Sequence, residues 1–137
     1  MGIILDTSII IEAERDRFDI EKFVKGREEE IFGLSVISVA ELLHGVHRAN
    51  THQRRLVRSA FVERVIEIFM VYPFDIAPTR IYADIWANLQ KKGILIGAHD
   101  LMIGSTALAL GFSVASLNTR HFDRIEGLKL EIPNLYP

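Results

Sequence analysis

Three carboxylates stand where apolar stretches give way to helix-forming segments: Asp6 after Ile3-Ile4-Leu5, Glu41 in Ser38-Val39-Ala40-Glu41, and Asp100 in Gly97-Ala98-His99-Asp100. Each has a purely structural explanation. Asp6 and Asp100 suit the positive end of a helix dipole, and Ser38 to Glu41 matches the capping box, in which serine and glutamate satisfy each other's backbone N–H groups. Together the three acids support a chemical reading. Hard divalent cations such as Mg²⁺ or Mn²⁺ take oxygen ligands and are commonly held by one or two carboxylates and several waters. A cation held this way generates hydroxide and offsets charge on a phosphate. The set therefore points to metal-assisted phosphodiester hydrolysis, with Asp6, Glu41 and Asp100 as ligands. Asn118, just after an apolar run, offers a neutral oxygen or an orienting amide, and equally suits a plain turn.

These acids lie far apart in the chain, so elements must bring them together. Gly2 to Leu5 reads as a strand, followed by Thr7-Ser8 as capping residues before Ile9-Ile10-Ile11. A helix is expected over Asp19 to Lys25, a strand over Ile31 to Ile37, and a helix opening at Ser38 with Val39, Leu42, Leu43 and Val46 at intervals of three and four. Asn50-Thr51 caps a long helix that runs into a strand at Ile68 to Tyr72, and Pro78-Thr79 begin another helix that Gly93 ends. From Asp100 the chain is apolar nearly all round, which predicts a buried central helix closed by Gly111. Ser113 to Leu117 and Leu128 to Ile132 complete the strands. Strands alternating with helices predict an α/β fold, an α/β/α sandwich with a mainly parallel sheet. In such a sheet, ligands sit at the carboxyl ends of the strands.

Composition narrows the alternatives. The 137 residues, read as one domain over 1–137, carry a formal net charge of −2, so bulk attraction to a polyanion is excluded and any nucleic-acid contact must be local. With no cysteine there is no disulfide and no thiolate metal site. Asp6 and Glu12 interrupt the N-terminus and no apolar run is long enough to span a bilayer, so a soluble, cytoplasmic protein without membrane association is expected. The richest basic region is His44, His47, Arg48, His52, Arg54, Arg55 and Arg58. It is either a solvated helical face or a phosphate-contacting rim, and Arg48, Arg54, Arg55 and Arg120 are the candidates for contact with RNA. Tyr82 and Trp86, four apart on a helical stripe, read as core or dimer interface rather than base-stacking platforms. His99 lacks the partner histidines that a zinc site needs.

Four strings in order, Ile4-Leu5-Asp6-Thr7-Ser8, Ser38-Val39-Ala40-Glu41-Leu42, Ile96-Gly97-Ala98-His99-Asp100-Leu101-Met102-Ile103 and Asn118-Thr119-Arg120-His121-Phe122, resemble the successive motifs of PIN-domain nucleases, nearest the VapC toxins of toxin–antitoxin systems. The resemblance implies a PIN-like fold and a Mg²⁺- or Mn²⁺-dependent endoribonuclease. It implies Asp6, Glu41 and Asp100 as metal ligands, Asn118 as a fourth catalytic position, and Thr7 and Ser8 as supporting hydroxyls. A homodimer and an inhibitory antitoxin partner are implied by the same likeness. One departure weakens a second metal: the fourth acidic position of many PIN domains falls on Asn118, and the family's frequent Asn-Thr-Arg-Asp-Phe reads Asn118-Thr119-Arg120-His121-Phe122; Asp123 is either a substitute acid or, as expected, a surface residue.

Two other classes remain open on sequence. An aspartyl-phosphate phosphotransferase would use Asp6 as nucleophile, but Ser8 stands where such enzymes usually carry a second acid. A catalytically inactive RNA-binding or scaffold protein would keep the fold and use the acids only as caps.

Overall fold

The computed structural model describes residues 2–134. Within them, strands β1 (Gly2–Leu5), β2 (Ile31–Ser35), β3 (Met70–Tyr72), β4 (Ser113–Ala115) and β5 (Leu130–Glu131) form one sheet in the order β3-β2-β1-β4-β5. Every pairing is parallel. The helices are α1 (Thr7–Glu14), α2 (Ile20–Val24), α3 (Val36–His47), α4 (His52–Ile68), α5 (Ile76–Lys91), α6 (Ala98–Leu110) and α7 (Thr119–Phe122).

β1 is buried at every position, which is why it reads as a continuous apolar run rather than an alternation. Ile3 and Leu5 enter one core with Ile9, Ile10, Leu34, Val39 and Val62, whereas Ile4 enters the other with Ile103, Ala107 and Val114. Strand side chains alternate between faces, so α1, α3 and α4 cover one face of the sheet while α5 and α6 cover the other. This is the α/β/α sandwich that the sequence predicts. Truncating a fully buried residue such as Ile4 to Ala would cost about 2–5 kcal/mol, so the strand beneath Asp6 is a stiff platform.

From β1 the sheet grows through β2 to β3 on one side and through β4 to β5 on the other. The order reverses beside β1, and at such a switch point a crevice opens at the carboxyl ends of the strands. Asp6 follows β1 and Ser116 follows β4 at that crevice: Leu5 is in register with Ala115, and the Asp6 N–H donates to the Ala115 carbonyl at 2.9 Å. α6 arrives at the same end. Gly97 is its N-cap, and Gly111, at φ +72°, ends it in the left-handed conformation. Ser105 and Thr106, buried within α6, return their hydroxyl protons to the carbonyls of Leu101 and Met102.

Several boundaries differ from the sequence reading, and the largest difference concerns Glu41. The helix opens at Val36, not Ser38, and its N-cap is Ser35, whose Oγ accepts from the Ile37 N–H at 3.0 Å. Val36 and Ile37 are β-branched and so imitate a strand, but the side-chain cap at Ser35, directly before Val36, outweighs that modest preference. Ser38 lies inside the helix, fully buried, with no hydrogen-bond partner for Oγ among the described residues. The capping box is therefore absent, and Glu41 is free of that role. Similarly α5 opens at Ile76, with Pro78 inside its first turn where the missing N–H does no harm. α6 opens at Ala98, two residues before Asp100, and Ile68 ends α4 rather than opening a strand.

Candidate active site

Asp6 occupies the N-cap position of α1, yet its side chain makes no capping hydrogen bond. It is 4% exposed. Ser8 and Ser116 each donate a hydroxyl to the same oxygen, Oδ2, at 2.8 Å. The serines are held in turn: the Leu117 N–H donates to Ser8 Oγ at 3.1 Å and the Asn118 N–H to Ser116 Oγ at 2.9 Å. Oδ1 takes no side-chain donor among the described residues. Among the described residues, no Lys or Arg pairs with either oxygen. Burial pushes the Asp6 carboxyl above its ordinary range; the two serine hydroxyls pull it back, and the negative charge of Asp100 raises it further. Unpaired charge held in a buried site is costly unless a cation balances it.

Asp100 lies in the first turn of α6, and its Oδ2 is 2.7 Å from His121 Nδ1. That distance requires the imidazole to donate, because the carboxylate only accepts. The Gly97 N–H also points at His121 Nδ1, at 3.3 Å, but one ring nitrogen cannot donate and accept together, and the shorter, charge-assisted contact prevails. A Cβ at Gly97 would lie 3.2 Å from His121 Nδ1, so a larger residue there would push the imidazole by a few tenths of an ångström. Glu41, half-buried on α3, accepts from Thr7 Oγ1 at 2.7 Å through Oε1, and its Oε2 is 3.4 Å from Nδ1 of the exposed His99. Thr7 thus links the first acid's helix to the second acid.

The three acids therefore gather at the switch-point end of the sheet. Among the described residues, no three Asp, Glu or His side chains close around a common point as a cage. A cage is not what a hard divalent cation demands: one or two carboxylates with water suffice. The donor set fits such an ion, because Asp6 and Asp100 repel one another, have among the described residues no basic partner apart from His121, and leave Asp6 Oδ1 without a side-chain donor.

The other sequence candidates separate. Asn118 has an exposed side chain that forms no cap to α7; only its backbone, through Ser116, joins the Asp6 network. Arg48 lines a cavity with Thr7, Glu41 and His99. Arg54 is instead bonded to Asn50 Oδ1 and Arg55 to the Ala49 carbonyl, so neither faces the acids. Arg120 is exposed on α7, and Asp123 is exposed at its end, as expected. Trp86 is 55% exposed, which removes it from the core while Tyr82 remains half-buried beside it. Ser116 and His121 were not legible as site residues. Ser116 becomes visible only once β4 is known to lie beside β1, and the signal for His121 is its place in the fourth motif, where an acid is usual.

Comparison with known proteins agrees with this geometry. The PIN domain family model matches residues 3–128. A Rickettsia felis protein named Ribonuclease VapC1 is 40% identical over 130 residues, covering 95% of both chains. The tRNA(fMet)-specific endonuclease VapC of Shigella flexneri is 28% identical over 138 residues, covering 96% of this chain and 97% of that one. Among solved structures, VapBC2 from Rickettsia felis bound to a promoter DNA fragment superimposes with a TM-score of 0.88 at 25% identity, covering 98% of this chain and all of that one. DNA-bound VapBC from Salmonella typhimurium gives 0.84 at 28% identity, covering 96% and 98%. The chain belongs to the PIN-domain family, among the VapC ribonucleases.

Proposed function

We propose that this protein is a Mg²⁺- or Mn²⁺-dependent endoribonuclease and the toxin of a toxin–antitoxin pair. The observation that carries the reading is the buried Asp6 carboxylate, close enough to Asp100 to feel its charge and without a basic partner among the described residues. Asp6 and Asp100 would hold the cation, with Glu41 as the third acid; when bound, the ion supplies an activated water and offsets charge on the phosphate. The chain's own residues do the rest. Ser8 and Ser116 fix Asp6 through one oxygen and leave the other for ligation. His121 holds Asp100 in one orientation, and Thr7 does the same for Glu41. Outer hydrogen bonds of this kind orient ligands and matter nearly as much as the ligands themselves. Asn118, exposed beside this network, would meet substrate rather than metal.

The names of the relatives support ribonuclease activity, and the VapBC complexes among the structural neighbours support a protein antitoxin as partner. We assign the protein to the cytoplasm and to a homodimer on the same kinship; no helix among the described residues is long and apolar enough to cross a membrane. The test is cleavage of RNA by purified protein with Mn²⁺, with chelator, and after Asp6→Asn. Cleavage that needs the metal and disappears in the variant supports the reading. Equal cleavage in all three conditions overturns it.

A further inference from the structure

Beyond the acids, two cavities of about 240 and 530 Å³ share Ile11, Glu41 and Arg48, and so form one groove that leaves the candidate active site along α1 and α3. Its far end is lined by Arg15 and Arg58 together with Glu14. Arg58 is anchored, donating to the Gly45 carbonyl at 3.1 Å, and its Nε is 3.7 Å from Glu14. Arg15 and Arg48 are different: each is exposed and makes no side-chain hydrogen bond or ion pair among the described residues. Two free guanidiniums and a third held in place thus converge on a groove in a chain whose net charge is −2.

We propose that Arg15, Arg48 and Arg58 form a backbone-binding groove that carries the phosphates of a single RNA strand on the Glu41 side of the cleavage point. This rests on the nuclease reading above and adds to it the path of the substrate. Guanidiniums bind phosphate oxygens in pairs of parallel hydrogen bonds, and contacts to phosphate position a strand without reading its sequence. Glu14 repels phosphate, so its contact with Arg58 keeps the strand toward the Arg15 and Arg48 side. The groove also replaces part of the expected contact set: Arg48 stays, whereas Arg54 and Arg55 give way to Arg15 and Arg58.

The test is binding of a short single-stranded RNA of mixed sequence to the Asp6→Asn protein, by fluorescence anisotropy across a salt series. Arg15→Gln and Arg48→Gln change exposed side chains, and circular dichroism verifies that each variant folds. Each is expected to weaken binding several-fold and to flatten the slope of log K against log salt by about 0.7, the value for one phosphate contact on a single strand. Arg54→Gln should leave both unchanged. Unaltered slopes in the groove variants overturn the proposal. So does loss of binding to a polyglutamate probe with RNA binding intact, which would make the groove a site for an acidic peptide. Cleavage by the wild type keeps the two ideas apart: a wild type that cuts RNA while the groove variants bind normally overturns the groove alone. A wild type that never cuts but loses RNA binding in these variants supports the groove and overturns the nuclease.

Discussion

The molecule contains two clusters of carboxylates with opposite treatment. Glu30 and Glu131 share Arg27: its Nη1 and Nη2 donate to the two oxygens of Glu131 at 2.6 and 2.9 Å, its Nε donates to Glu30, and its guanidinium lies 4.8 Å from the Phe23 ring centre. The pairing with Glu131, then with Glu30, raises the Arg27 guanidinium above its ordinary value, and Arg27 holds the Glu30 carboxyl below its own. That cluster carries its own cation. Among the described residues, the side-chain partners of Asp6 and Asp100 are only hydroxyls and one imidazole, and there burial pushes the Asp6 carboxyl up instead of down. The same side chains that are neutralised at one place are left uncompensated at the other. The difference separates acids neutralised within the fold from acids that the proposed function assigns to an ion from outside.

Substitutions sharpen that contrast in decreasing order of effect. Asp6→Asn should reduce metal-dependent RNA cleavage by more than the roughly 100-fold that loss of an outer partner costs; residual activity close to wild type would place Asp6 with the structural acids. Ser116→Ala removes one of the two donors that orient Asp6, and a roughly 10- to 100-fold fall in Mn²⁺ affinity, measured by calorimetry, is expected. His121→Asp adds a negative charge beside Asp100, and even in a high-dielectric site one charge a few ångströms away is worth about 1 kcal/mol, so Mn²⁺ should bind several-fold tighter. Weaker binding in that variant would mean that the imidazole's hold on Asp100 matters more to the ion than the added charge does. At the balanced cluster, Arg27→Ala should lower the unfolding midpoint by only a few degrees and leave cleavage unchanged, as partly exposed ion pairs contribute little.

Much of this was legible before the fold. The alternation of strand and helix predicts the parallel sandwich, and the position of Asp6 after a buried strand predicts its place at a sheet end. What was hidden depends on contacts between distant segments. Ser116 reads as an ordinary strand-end serine until the β1 and β4 register sets it beside Asp6. Ser38 reads as a cap because local pattern cannot show that Ser35 has already capped the helix. Glu41 consequently passes from a local backbone role to a contact with Thr7, 34 residues away in sequence. Arg54 and Arg55 were indistinguishable from Arg48 by spacing alone, and only the direction of each side chain separates them.

The central claim is that Asp6 is kept uncompensated for a cation, and thermal unfolding of wild type and Asp6→Asn in chelator and in Mn²⁺ tests it most directly. A carboxyl raised in the folded state above its ordinary value of 3.8 adds stability below that value and loses it as pH rises through the raised one. At neutral pH without metal, Asp6 therefore works against the fold. Asparagine removes the charge and keeps an oxygen for Ser8 and Ser116, so the variant should melt higher than wild type in chelator. Mn²⁺ at about 100 times its dissociation constant should stabilise wild type by about 2.7 kcal/mol and the variant hardly at all. A variant that melts no higher than wild type in chelator, and that gains as much from Mn²⁺, would contradict the account.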